Sequence, residues 1–78
     1  MSTSIVKVYN SGLGKWEKNA RVVLCWDGFL NAGMSRAVYT DANGIAEVQH
    51  SSSGKADIYI NGKRCGTMQT PGSKTVTV

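Results

Sequence analysis

The segment Thr40-Asp41-Ala42-Asn43-Gly44-Ile45-Ala46-Glu47-Val48 constrains the fold of this chain more than any other. Asp41 offers a carboxylate that can accept from backbone donors ahead of it in an Asx-turn, and Asn43-Gly44 supplies residues that tolerate positive φ. Beyond the turn, Ala46 and Val48 alternate with Ile45 and Glu47, the two-residue period of a half-buried strand. The expectation is a strand over 34–40 paired across this turn with a strand over 45–50.

The same pattern recurs along the chain. Val6 and Val8 fall on one face of a strand over 4–9, with Ile5, Lys7 and Tyr9 on the other. Over 19–26, Ala20, Val22, Leu24 and Trp26 alternate with Arg21, Val23 and Cys25; both faces are apolar enough for a central or covered strand. Asp27-Gly28 reads as a turn and Phe29 opens a longer connection. Ala56, Ile58 and Ile60 share a face over 55–60, and Asn61-Gly62 is a two-residue type I′ hairpin signal. That turn sets Ile60 opposite Lys63, Tyr59 opposite Arg64 and Ile58 opposite Cys65, which turns Cys65 toward the core. A β-branched strand over 74–78 follows the turn at Thr70-Pro71-Gly72-Ser73. No helical period competes. Seven short strands at such spacing predict an all-β fold, a small antiparallel β-sandwich over 1–78 as a single domain.

Seventy-eight residues leave room for one core, which buries only about 60% of the unfolded chain's surface. The longest apolar run, Val22-Val23-Leu24-Cys25-Trp26, is far too short to span a bilayer. The net charge of +4 comes from nine Lys and Arg that never occur more than two in a row. Such dispersed charge fits an ordinary soluble surface better than a nucleic-acid footprint. Met1-Ser2-Thr3-Ser4 shows no signal-peptide pattern. A cytoplasmic location is expected if Met1 is the native start, and a secreted or periplasmic one otherwise.

Val6-Lys7-Val8, Gly14, Asn19-Ala20-Arg21-Val22-Val23-Leu24, the segment 40–48, and Gly54-Lys55-Ala56-Asp57-Ile58-Tyr59-Ile60-Asn61-Gly62 together carry a family resemblance. Their spacing resembles the carboxypeptidase regulatory-like domains of the transthyretin-like (prealbumin) sandwich group. It is similar also to bacterial Ig-like and collagen-adhesin B-type repeats. The resemblance implies a stabilising, adhesive or docking module with no shared catalytic residues to carry over. Such domains usually sit within larger or exported chains, whereas this one shows no leader.

Candidate chemistry is sparse. A Cys–His dyad would have to unite His50 with Cys25 or Cys65, yet cysteines in strands are most often small buried hydrophobes. A Cys25–Cys65 disulfide is the second possibility, but an outward Cys25 could not meet an inward Cys65. Those three residues lack zinc-site spacing. Asp41, Asn43 and Glu47 faintly resemble a calcium loop, with Ile45 where an oxygen ligand belongs. Gly12-Leu13-Gly14-Lys15 is too short for a phosphate cradle. No catalytic residue, metal or cofactor is therefore expected.

Surface chemistry offers more. Ile5 and Tyr9 on one strand, with Val23 and Cys25 on another, are too apolar for solvated outer faces and read as a contiguous protein interface. An unpaired edge strand is the second route to association. The expected function is a non-enzymatic protein-interaction or assembly module, its partner another protein or a second copy. On this basis Val23→Lys should abolish association and spare the fold. The alternative is a carbohydrate-binding module built on Trp16 with Lys15 and Lys18, since an exposed aromatic beside polar groups can stack on a sugar. Nucleic acid is not an expected partner.

Overall fold

The computed structural model describes residues 2–26 and 33–78; the expected turn at Asp27-Gly28 and the connection opened by Phe29 lie outside the described residues. The described elements are all strands: β1 (Ser2–Asn10), β2 (Lys15–Trp16), β3 (Arg21–Trp26), β4 (Gly33–Met34), β5 (Val38–Tyr39), β6 (Ile45–His50), β7 (Gly54–Ile60), β8 (Lys63–Thr70) and β9 (Ser73–Thr77). They form a four-stranded and a five-stranded sheet.

In the four-stranded sheet β1 lies at the centre. Residues Ile5–Lys7 pair with β6 and β9 at once, and Tyr9 pairs with both Trp16 and Thr77, so β9 occupies one side and β6 with β2 the other. In the five-stranded sheet β3 has β7 on one side and the short β4 and β5 on the other, and β8 closes the far edge beyond β7.

The alternation read from the sequence decides which faces meet. Val6, Val8, Ala46, Val48 and Val76 from one sheet form a single buried cluster with Val22, Leu24, Trp26, Ala56, Ile58, Ile60 and Met68 from the other. Two half-apolar sheets thus bury each other's inner faces, which is how a sheet satisfies its apolar side.

Four expectations need correction. The described residues form nine strands, not the expected seven, because the two-residue β2 carries too little periodicity to be seen and the segment 34–40 is broken. Ser35 causes that break. Its N–H donates to the Leu24 carbonyl at 2.8 Å, and its Oγ accepts the Leu24 N–H at 2.9 Å. A side chain thereby replaces a backbone carbonyl in the ladder. The sheets are also not wholly antiparallel, since β9 runs parallel to β1.

The turn at 41–44 forms as read, but it is an arch between sheets. Asp41 Oδ1 accepts the N–H of Asn43 at 2.8 Å and of Ile45 at 3.0 Å. Yet β5 pairs with β3 while β6 pairs with β1. A turn fixes only its own four residues, and the two-residue β5 had its ladder taken by β3. Finally, the Asn61-Gly62 hairpin gives the expected first two pairs, with φ of 53° and 85° at the turn. A bulge then sets Ile58 opposite Gly66 instead of Cys65.

Candidate docking face

On β3 the inner set Val22, Leu24 and Trp26 leaves Arg21, Val23 and Cys25 on the outer face of the five-stranded sheet. The ladders place Tyr39 beside Arg21, Tyr59 beside Val23, Arg64 beside Tyr59, and Met34 and Asp57 on either side of Cys25. Met34 is 70% exposed and Tyr39 59% exposed, while Cys25 and Tyr59 are half-buried. The face is therefore an apolar strip with polar and charged side chains among it. Its one ion pair among the described residues joins Arg64 to Asp57 at 3.3 Å, with the Arg64 side chain largely in water. Such a pair contributes at most about 1 kcal/mol.

Val23 occupies the middle of this face and is only 2% exposed. It is flanked by Arg21 and Cys25 on its own strand and by Tyr59 across the ladder, and a short side chain among longer ones loses its surface. Val23→Lys is therefore not a clean surface variant. It is expected to destabilise the domain by about 1–3 kcal/mol through lost packing, a shift that urea denaturation would register. An unchanged midpoint would show that the site accommodates the lysine.

The four residues expected to form one patch do not meet. Ile5 and Tyr9 lie on the outer face of the four-stranded sheet, and Val23 and Cys25 on that of the five-stranded sheet, with the shared core between. The periodicity correctly assigned each residue to an outer face, but it carries no information on which strands share a sheet.

Tyr9 instead joins Trp16, drawn from the carbohydrate alternative. Their ring centroids are 5.2 Å apart at 79°, an edge-to-face pair. Trp16 is 42% exposed and lies over Gly44, where any Cβ would come within 3.0 Å of the Trp16 Cβ. Lys15 and Lys18 are exposed nearby in sequence; Lys15 aligns with Asn10, one step out of phase with Trp16.

His50 is built into the fold. The His50 Nδ1 lies 2.6 Å from the Ser52 carbonyl, which can only accept, so Nδ1 carries a proton. In the neutral ring Nε2 then accepts from the Ser4 hydroxyl at 2.7 Å, and Ser4 Oγ accepts the Gly72 N–H at 3.3 Å. Ser4 is fully buried, so its hydroxyl faces the histidine and not solvent. The His50 ring also packs on Trp26 at 4.9 Å, and Trp26 Nε1 donates to Thr70 Oγ1 at 3.0 Å. Ser4, His50 and Thr70 were missed as a set, although Ser4 is in phase with Val6 and Val8, and His50 with Ala46 and Val48. Nitrogen NMR of the imidazole should show Nδ1 protonated and Nε2 bare. The reverse tautomer would contradict the assigned contacts. Ser4→Ala, which leaves the buried His50 Nε2 without its hydroxyl partner, should cost about 1–3 kcal/mol in chemical denaturation.

Cys65 is a free thiol that packs against the core and donates to the Lys63 carbonyl at 3.3 Å. Cys25 belongs to the opposite face of the same sheet. The Asp41 carboxylate is occupied by the turn's own N–H groups.

No protein-family model matches the chain, and neither does any curated protein or solved structure. Its function is therefore argued from its own surface.

Proposed function

We propose that this domain is a non-enzymatic protein-docking module, a β-sandwich that acts through the outer face of its five-stranded sheet. One observation carries the proposal: the well-exposed Met34 stands beside the half-buried Cys25, and the exposed Tyr39 beside Arg21, on the outer face that the half-buried Tyr59 shares. Exposed apolar surface of this kind, interleaved with polar groups, is what a partner covers. The sequence resemblance to carboxypeptidase regulatory-like domains implies a stabilising, adhesive or docking role, which agrees with this reading. The edge of β8 is a poorer route. Its bulge and the charges of Lys63 and Arg64 at its start oppose strand addition.

Capture from the source lysate provides the test, using the tagged domain and the double variant Met34→Lys, Tyr39→Lys. Both positions are exposed, so the variant keeps its fold. A protein held by the wild type and by Trp16→Ala, but lost by the double variant, supports docking at this face. Equal retention by the double variant sinks it.

The edge-to-face pair Tyr9–Trp16 favours a second reading, a carbohydrate site on the other outer face. Trp26 is buried, so quenching of tryptophan fluorescence by soluble glycans would report Trp16 alone. Quenching that disappears in Trp16→Ala is the expected result of that reading, and its absence across a glycan panel removes it.

A further inference from the structure

The chemistry of the docking face also describes its partner, an inference that rests on the docking proposal above. Among the described residues three cations, Arg21, Lys55 and Arg64, belong to this face against one carboxylate, Asp57, which is already engaged by Arg64. Arg21 and Lys55 have no ion-pair partner among the described residues. They stand at opposite ends of the face. Arg21 is tied to Asn61, whose Oδ1 accepts the Arg21 N–H at 2.9 Å while its own N–H donates to the Arg21 carbonyl at 2.8 Å. Lys55 lies six steps before Asn61 on β7, about 20 Å along the strand direction at ~3.3 Å per residue. Between these two cations lie Val23, Cys25 and Tyr59, with Tyr39 and Met34 along one margin.

We propose that this face receives an extended segment of an acidic partner protein. Carboxylates toward the segment's two ends meet Arg21 and Lys55, and apolar side chains between them cover Cys25 and Tyr59. A second copy of this chain is a poor occupant, because face-to-face pairing would bring the same three cations together on a chain of net charge +4. Nucleic acid fits less well too. Two unpaired cations with Asp57 between them neutralise few phosphates, whereas affinity for a phosphate backbone grows with the number of such contacts.

Selection of a random peptide library displayed on phage against the intact domain tests this. The expected binders carry Asp or Glu on both sides of an apolar stretch. Their affinity should fall about tenfold in Arg21→Glu and again in Lys55→Glu, and weaken as salt rises. Both substitutions are at exposed positions, and an unchanged unfolding midpoint would confirm that the fold is kept. Binders that lack acidic enrichment yet are lost in Met34→Lys, Tyr39→Lys overturn the acidic partner and leave docking at this face standing. Failure to select any peptide sensitive to either set of variants overturns both proposals. Displacement of the selected peptides by oligo(dT) at this face would overturn a protein partner in favour of nucleic acid. A concentration-dependent rise in mass, lost in the Met34 and Tyr39 variant, would put a second copy there instead.

Discussion

Gly44→Ala is expected to destabilise the domain by about 2–5 kcal/mol and to disturb Trp16. The residue has φ of +73°, where an L side chain costs about 1–2 kcal/mol. The added methyl would also approach the Val8 carbonyl oxygen to 2.6 Å and the Trp16 Cβ to 3.0 Å, overpacking that costs a further ~1–3 kcal/mol. Neither neighbour can yield easily, since the Val8 N–H donates to the Gly44 carbonyl at 2.8 Å and the Val8 carbonyl accepts from Glu17 at 2.9 Å. Urea denaturation gives the stability change, and near-ultraviolet circular dichroism follows the Tyr9–Trp16 pair. Asn43→Ala, at an exposed turn position, should cost much less. Equal costs at the two positions would mean that the turn, and not the close approach beneath Trp16, sets the value of the glycine.

Trp26→Ala is the second large effect, expected at about 3–5 kcal/mol. The indole ends the core stripe of β3, touches the His50 ring and donates to Thr70, so it ties the five-stranded sheet to the buried histidine of the other. For a domain of this size, whose whole stability is on the order of 5 kcal/mol, the variant should keep only about 0–2 kcal/mol and unfold at the lowest denaturant concentrations or on mild heating. Trp26→Phe keeps a ring and removes the donated hydrogen bond; its cost should be nearer ~1 kcal/mol. Thr70 retains a partner in that variant, since its hydroxyl donates to the Gly54 carbonyl at 2.6 Å. A Phe variant as damaged as the Ala variant would show that the bond to Thr70, on β8 of the same sheet, and not the packed ring, accounts for the loss.

Much of the fold could be read before the coordinates, for a physical reason. A two-residue period is a local property, so it sorted Val6, Val8, Val22, Leu24, Ile58 and Ile60 to the inside and Lys7, Arg21 and Glu47 to the outside. Turn chemistry is local as well, which is why the Asp41 carboxylate and the Asn61-Gly62 pair behave as their side chains dictate. Pairing across the chain is not local. Nothing in Thr40 to Ile45 says that its two flanking strands go to different sheets, and nothing in Thr75 to Val78 says that β9 lies parallel beside β1. The docking face failed at the same point. Ile5, Tyr9, Val23 and Cys25 each look outward, but grouping them requires knowing the sheet order. Met34 and Tyr39, the most exposed apolar residues of the face, lay in a segment whose periodicity Ser35 interrupts. Burial of Val23 depended on its neighbours, Tyr59 across the ladder among them, a property that no window along the chain contains.

The most direct test of the docking proposal is an amide chemical-shift map of the nitrogen-labelled domain, recorded as a partner protein captured by it is added. Shifts concentrated at Arg21, Val23, Cys25, Tyr39, Asp57 and Tyr59, with Tyr9, Trp16 and Thr77 unmoved, are the expected result. Shifts confined to Tyr9, Trp16 and β9 would place recognition on the opposite sheet and contradict the assignment.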